Sequence, residues 1–322
     1  MTAQHSHEPT TEGVAEAARR IHALLPCTPL IPSVIGGIRI WLKDETAQPI
    51  RAFKIRGAWN RLNAISSARR KYGVIAVSSG NHALGVAWGA ARLGIAVTVL
   101  MPRDTPAVKR DAVNALGARI VYYSRLQDDR DAMAADLCAQ TGATLIHAFA
   151  DPWVIEGQGS VATEIAAQLG QDPSRIIAPC GGGGLLSGSA LACPDAQLIA
   201  VEPEGWDDAA QSIATGGIAS VASDAPPTIC DGIQTPRISP MTLKIMHEHK
   251  ITCMTVNDQE VATAMRFAFD HHAIVLEPSG AAGLAAALSG SIPLDETSAV
   301  VLTGGNVDPV QFTELTGRTP NM

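Results

Sequence analysis

The chain lacks several features that would assign it to a structural class. Its six cysteines are scattered along 322 residues, without a CxxC pair or the spacing of a metal site. In a chain of this length, such cysteines indicate free thiols in a reducing compartment. No apolar run approaches the roughly 20 residues that span a bilayer. The polar first 13 residues have no apolar stretch typical of a secretory signal. We therefore expect a cytoplasmic protein without membrane association.

Basic charge is also scarce. The chain has 24 lysines and arginines against 31 acidic residues, a formal net charge of -7, and no basic stripe. This charge pattern argues against nucleic-acid binding. Hydrophobic residues make up 46% of the chain and charged residues 17%, as is ordinary for a globular protein. The length favours two domains that share a cleft over one large core.

Short apolar runs alternate with helix-like stretches along most of the chain. The runs occupy residues 74–77, 96–101, 120–123, 143–146, 176–177, 198–201, 251–256 and 299–302. Helical stretches between buried strands imply βαβ crossovers and parallel sheets. The sequence therefore predicts an α/β protein with two open parallel-sheet domains. Residues 67–148 would form a small domain, and residues 1–66 and 149–322 a larger one.

Four consecutive glycines, Gly181, Gly182, Gly183 and Gly184, follow one of these apolar runs and open a predicted helix. Glycines leave backbone N–H groups unobstructed, and a helix N-terminus adds a partial positive charge. The segment therefore predicts a phosphate-binding loop, with a flexible turn as the alternative. A dinucleotide site is less favoured, because GxGxxG spacing is not clearly met, although Glu202 lies near the distance of its acidic partner.

Two further segments carry reactive or hydrogen-bonding side chains. Lys54 follows an aromatic residue and opens a predicted helix, a setting that can desolvate its amine for Schiff-base formation. The alternative is a surface lysine whose stem covers apolar neighbours. The segment SSGNH, residues 78–82, follows a strand at the edge where open α/β sheets bind ligands. It has the groups to bind a substrate carboxylate, or simply to cap a helix.

Eight motifs occur in the order and spacing of fold-type II pyridoxal-phosphate (PLP) enzymes. They are QPIRAFKIRGA, SSGNH, MPRDTP, EGQGS, CGGGGLLSG, DGI, LEPSGAAG and TGGNVD, and the resemblance extends from about Thr28 to Asp308. The sequence most resembles serine/threonine dehydratases (threonine deaminases) and serine racemases. The resemblance implies the tryptophan synthase β-like architecture, with PLP in the cleft between two domains, and a homodimer.

The resemblance also implies roles for individual residues. Lys54 would hold PLP as a Schiff base and later move the α-proton, and Ser79 would lie on the opposite face of the cofactor ring. The substrate carboxylate would contact Ser78, Ser79, Asn81 and His82. The implied cofactor contacts are Phe53 against the ring, Asn81 at the ring hydroxyl, Gly181, Gly182, Gly183, Gly184 and the Leu185 N–H at the phosphate, and Thr303 at the pyridine nitrogen.

An acidic segment matches a metal site of the same family. Glu202, Asp208 and the Trp206 carbonyl stand where relatives hold a divalent cation with two carboxylates and a carbonyl. A hard cation such as Mg²⁺ or Ca²⁺ prefers such oxygen ligands. The alternative is an acidic turn that caps a helix.

The implied reaction is dehydration and deamination of a β-hydroxy-α-amino acid, such as L-serine or L-threonine, to a 2-oxo acid and ammonia. A hydroxyl such as that of Thr303 does not force a proton onto the pyridine nitrogen, which favours prompt loss of a β-leaving group. The alternatives are a racemase with Lys54 and Ser79 as opposed bases, a less favoured β-replacement synthase, and a PLP-binding carrier or sensor.

The chain departs from the family pattern near the site. Ile50-Arg51-Ala52 replaces the usual Thr-Gly-Ser, the stretches 147–153 and 230–234 are altered, and Glu156 stands where a small residue is commoner. A bulkier or charged β-hydroxy amino acid is therefore an alternative substrate.

Overall fold

The computed structural model describes residues 7–105, 107–124 and 127–320. Helices and strands alternate along these residues. The helices are α1 (Thr11–His22), α2 (Lys54–Ala64), α3 (Ser67–Arg70), α4 (Asn81–Leu93), α5 (Ala107–Ala115), α6 (Arg130–Thr141), α7 (Pro152–Leu169), α8 (Gly184–Ala192), α9 (Asp208–Thr215), α10 (Pro240–Glu248), α11 (Asp258–His272), α12 (Pro278–Leu288) and α13 (Pro309–Thr316). The strands are β1 (Leu30–Ile35), β2 (Ile38–Asp44), β3 (Val74–Val77), β4 (Val97–Pro102), β5 (Arg119–Tyr123), β6 (Thr144–Leu145), β7 (Arg175–Pro179), β8 (Gln197–Pro203), β9 (Thr252–Val256) and β10 (Ser298–Leu302).

The strands form two sheets. The smaller has four strands in the order β5-β4-β3-β6, all parallel. The larger has six strands in the order β1-β2-β10-β7-β8-β9 and is parallel except where β1 pairs antiparallel with β2. The prediction of an α/β protein with two open parallel sheets is confirmed.

Helices cover both faces of the larger sheet, because its central strands are apolar on both sides. In β7, Ile177 packs into one hydrophobic cluster with α11 and α12, while Ile176 and Ala178 pack into another with α7 and α8. This arrangement explains why such strands read as continuous apolar runs rather than as alternating patterns.

All eight apolar runs predicted as strands are strands in the structure. The alternation did not predict β1 and β2, which lie before the first of those runs and extend the larger sheet at one edge. The domain limits at residues 66/67 and 148/149 stay a prediction. Within the described residues, no helix combines the length and the apolar character needed to cross a membrane.

A buried ion cluster ties the start of the chain to α2 and α7. The Arg56 side chain on α2 is fully buried and donates from Nε to Glu45 Oε2 (2.7 Å) and from Nη1 to Glu164 Oε1 (2.6 Å). Lys43 Nζ lies 2.6 Å from Glu164 Oε2, and the Thr28 hydroxyl donates to Glu45 Oε1 at 2.6 Å. Although burial acts to raise it, the hydrogen bond and charge of Arg56 hold the pKa of Glu164 well below its usual range.

Removing Arg56 should destabilise the protein strongly. Arg56→Ala leaves Glu45 and Glu164 buried with less opposite charge, and breaking such a pair costs about 3–5 kcal/mol. We expect the urea-unfolding midpoint to fall accordingly. Arg119→Ala, at an exposed position of β5, is the control and should change the free energy of unfolding by less than about 0.5 kcal/mol. Equal midpoints for the two variants would show that the cluster contributes little.

Candidate active site

The carboxyl ends of strands from both sheets meet at one place. Phe53 N–H donates to the Thr303 carbonyl at 3.1 Å, and Ala52 forms an isolated bridge with Gly304. These contacts join the start of α2 to the loop after β10. Parallel strands direct their carboxyl ends to the same edge, where open α/β sheets bind ligands.

Lys54 is the first residue of α2, and its side chain is partly buried. Its Nζ donates to the Ala148 carbonyl at 3.4 Å and lies 4.9 Å from the centroid of the Phe53 ring. Burial lowers the pKa of Lys54 to about 8. A larger share of its amine is therefore neutral near pH 7 than in an exposed lysine, as a nucleophile or proton acceptor requires.

The glycine loop forms an uncapped helix N-terminus. Gly183, with φ of 79°, precedes α8, and no side chain caps the first turn. A Cβ at Gly182 would lie 2.1 Å from the Phe149 ring, and one at Gly183 would lie 2.7 Å from the Met246 sulfur. Only glycines therefore fit this loop, and the first N–H groups of α8 receive no side-chain oxygen. The predicted phosphate loop has the donors that an anion needs.

A second helix N-terminus lies opposite, after β3. Helix α4 begins at Asn81 with Gly80 as its N-cap, again without a side-chain cap. The Ser78 hydroxyl accepts from the Gly80 N–H at 3.1 Å. The Ser79 side chain is partly exposed and makes no hydrogen bond within the described part of the chain. These groups can receive a carboxylate.

Asn81 is held by two long-range hydrogen bonds. Its Nδ2 donates to Glu277 Oε1 at 2.5 Å, and its Oδ1 accepts from Asn306 Nδ2 at 2.7 Å. Glu277 and Asn306 lie in the motifs LEPSGAAG and TGGNVD but had no predicted role. Burial, followed by the charge of Asp231, raises the pKa of Glu277 to about 7. The signal in the sequence was an acidic residue between Leu276 and Pro278 in an apolar stretch.

His82 and Thr303 are both buried. His82 Nε2 donates to the Ile146 carbonyl at 2.9 Å, and its Nδ1 has no partner in the described structure. Burial lowers the pKa of His82 to about 3, so the ring is neutral at pH 7. The predicted contact of His82 with a substrate carboxylate stays a prediction, as does that of Thr303 with the pyridine nitrogen.

The acidic segment lies apart, after β8. Both oxygens of Glu202 accept backbone N–H groups at the start of α9, Oε1 from Ala209 at 2.9 Å and Oε2 from Ala210 at 3.0 Å. Asp208 is buried, and its Oδ2 has no partner within the described residues. The part of the chain that the structure describes holds no group of three or more His, Cys, Asp and Glu side chains suited to a metal.

Lys54 should be the lysine that PLP labels. After removal of any bound cofactor, incubation with PLP and reduction with borohydride should place the label on the peptide that contains Phe53-Lys54-Ile55. Because the pKa of Lys54 is about 8, the labelling rate should rise up to about pH 8 and then level off. An exposed lysine, with a pKa of about 10.4, would go on rising. Peptide mapping by mass spectrometry that finds the label on Lys43 or Lys109 would exclude the assignment.

Comparison with known proteins gives the family. The family model described as pyridoxal-phosphate dependent enzyme matches residues 23–304. The chain is 38% identical over 316 residues to L-threo-3-hydroxyaspartate ammonia-lyase of Saccharomyces cerevisiae, which covers 95% of this chain and 96% of that protein. It is 37% identical to serine racemase of Schizosaccharomyces pombe over 93% of this chain and 95% of that protein.

Solved structures agree. Maize serine racemase superposes with a TM-score of 0.89 at 33% identity, over 96% of this chain and 97% of that one. A bacterial-type threonine deaminase, from T.th., superposes with a TM-score of 0.86 at 38% identity, over 93% and 99%. These likenesses confirm the predicted architecture. The chain therefore belongs to the family of fold-type II pyridoxal-phosphate-dependent enzymes.

Proposed function

We propose that the protein catalyses dehydration and deamination of a β-hydroxy-α-amino acid, such as L-serine or L-threonine, to a 2-oxo acid and ammonia. The observation that carries this proposal is the position of Lys54, a partly buried amine with a lowered pKa, beside a loop that only glycines fit. The names of the relatives, L-threo-3-hydroxyaspartate ammonia-lyase and L-threonine ammonia-lyase, support this reaction class.

The residues of the site fit PLP. Gly181 to Gly184 and the Leu185 N–H would bind its phosphate, because the N-terminus of α8 has uncapped donors. Phe53, Asn81 and Thr303 would hold the ring. When bound, PLP withdraws electrons from the substrate's Cα.

The chain's own groups then position the substrate and move a proton. The N-terminus of α4 offers backbone N–H groups and a positive helix end to the substrate carboxylate. The Lys54 amine, neutral in part at pH 7, accepts the α-proton. The Asn81 side chain keeps its orientation because Glu277 and Asn306 bind both ends of its amide.

Racemisation is the second candidate. It needs an acid on the face opposite Lys54, and Ser79 is the candidate because its side chain is partly exposed. The similarity to serine racemases supports it. Elimination needs no second acid at Cα, which makes it the first proposal.

A substrate panel and one variant distinguish the two activities. We expect wild-type protein loaded with PLP to release 2-oxo acid and ammonia from β-hydroxy amino acids. Ser79→Ala should lose about a hundredfold or more of any racemisation, the usual effect of removing a general acid. It should keep most of the elimination from the L-substrate. Chiral chromatography and a 2-oxo acid assay measure the two rates.

If Ser79→Ala loses both activities equally while PLP stays bound, Ser79 is not an acid specific to one face. If the wild type releases no 2-oxo acid from any member of the panel, the dehydratase proposal fails.

We also propose a cation site at Glu202, Asp208 and the Trp206 carbonyl. The support is the buried Asp208 Oδ2, which has no partner within the described residues, beside a second carboxylate. Mg²⁺ or Ca²⁺ would bind these oxygens with waters completing its shell. The helix-capping bonds of Glu202 use one acceptor direction of each oxygen and leave others for a cation.

Chelation should lower the thermal stability if this site binds a cation. Binding to the native state alone adds about 2.7 kcal/mol when the cation is at a hundred times its Kd. We expect EDTA to lower the Tm and Mg²⁺ or Ca²⁺ to restore it, with KCl at equal ionic strength as the control. Asp208→Asn should remove this response. A wild-type Tm that ignores both EDTA and added cation would rule the site out.

We further propose a homodimer that works in the cytoplasm on a small amino-acid substrate, without nucleic-acid or membrane partners. The dimer rests on the family resemblance. All six cysteines are free, which supports a reducing compartment.

A further inference from the structure

Arg51 has a backbone conformation that an arginine rarely adopts. Its φ is 56°, and among the described residues only Lys250 and Ala273 share a positive φ without being glycine. Those two lie at helix ends, Lys250 just after α10 and Ala273 as the C-cap of α11. Arg51 ends no helix and lies three residues before Lys54. Backbone strain of this kind costs about 1–3 kcal/mol and is concentrated at functional sites.

The neighbouring contacts leave the Arg51 backbone no other choice. Its N–H donates to the Gln48 carbonyl at 2.7 Å, and its carbonyl accepts from the Gly305 N–H at 2.9 Å. Asn306 Nδ2 donates to the Ile50 carbonyl at 2.8 Å. A glycine would adopt this conformation without strain. Stability alone therefore does not explain an arginine here.

The Arg51 side chain is directed along the loop that follows β10. Its Nη2 lies 3.0 Å from the place of a Cβ on Gly305, and Asn81 Nδ2 lies 3.1 Å from the place of a Cβ on Gly304. Consecutive Cα atoms are about 3.8 Å apart, so the guanidinium lies within about 10 Å of the Asn81 amide. Arg51 thus stands at the edge of the predicted substrate site.

The guanidinium has no fixed partner. Arg51 is exposed, and within the described residues no oxygen accepts a hydrogen bond from its side chain. The two carboxylates nearest in its electrostatic surroundings, Asp44 and Glu277, are buried. They accept from Thr46 and Asn81 respectively. The planar fork of an arginine fits a carboxylate with two parallel hydrogen bonds.

We propose that Arg51 binds a second carboxylate, carried on the substrate's side chain, and that the enzyme therefore prefers β-hydroxy-α-amino acids with an acidic side chain. This inference rests on the proposed function and names the substrate class of the same site. Arg51 is a specificity-determining residue, whereas Lys54 and the two helix N-termini act on the part of the substrate that every α-amino acid shares.

Kinetics of PLP-loaded wild type and Arg51→Gln test the proposal with L-threo-3-hydroxyaspartate and L-threonine. We expect wild type to prefer the dicarboxylate. In Arg51→Gln, the ratio of kcat/KM for the dicarboxylate to that for threonine should fall about tenfold to a hundredfold, the usual effect of losing a charged hydrogen bond. Arg39→Gln is the matched control, because Arg39 is also exposed but lies at the opposite end of β2 from Asp44; its ratio should stay that of wild type.

Binding of L-aspartate gives a readout that does not depend on elimination. Relative to L-alanine, L-aspartate should lose about tenfold in affinity in Arg51→Gln, measured by calorimetry. If the wild type eliminates nothing but this loss is seen, the proposed reaction fails and the role of Arg51 stands. If the wild type dehydrates threonine better than hydroxyaspartate, or the ratio is unchanged in Arg51→Gln, the role of Arg51 is wrong and the reaction stands.

Arg51→Gly separates recognition from folding. Glycine relieves the positive φ, so this variant should melt about 1–3 °C above Arg51→Gln while losing the same selectivity. A glycine variant that melts lower than Arg51→Gln would show that Arg51 is retained for stability instead.

Discussion

The position of the catalytic lysine depends on one buried arginine. Arg56 is two residues beyond Lys54 on α2 and is fully buried between Glu45 and Glu164. A buried guanidinium must keep its partners, because leaving any of these charges alone costs several kcal/mol. Helix α2 therefore cannot slide or rotate without separating them. The cluster fixes the start of α2 relative to β2 and α7, and with it the amine that performs the chemistry.

Close packing of α2 completes this constraint. A Cβ on Gly157 of α7 would lie 2.6 Å from the Gly57 Cα, so the two helices meet where neither has a side chain. On its other side, Ala58 and Leu62 pack with Val74 and Val86 of the smaller sheet's core. Helix α2 thus contacts the cores around both sheets, and this explains how groups from both reach one cleft.

The sequence predicted those parts of the site that local patterns encode. Apolar runs located β3 to β10, and the glycines at 181–184 and the SSGNH segment follow two of those strands. The partners of Asn81 were not predictable in this way, because Glu277 and Asn306 are 196 and 225 residues away in the chain. The φ of Arg51 was also hidden, since it is imposed by carbonyls and amides of the distant 304–306 loop.

The amides around Asn81 have a consequence for its polarity. Asn306 Nδ2 donates both to the Ile50 carbonyl and to Asn81 Oδ1, which uses both of its hydrogens. Asn81 can therefore only accept on that side, and its own NH₂ must face Glu277 and the cleft. One hydrogen goes to Glu277, and the other remains for a ligand. The backbone carbonyl of Ile50, through two side chains, thus determines that the cleft meets its ligand here with a hydrogen and never with a lone pair.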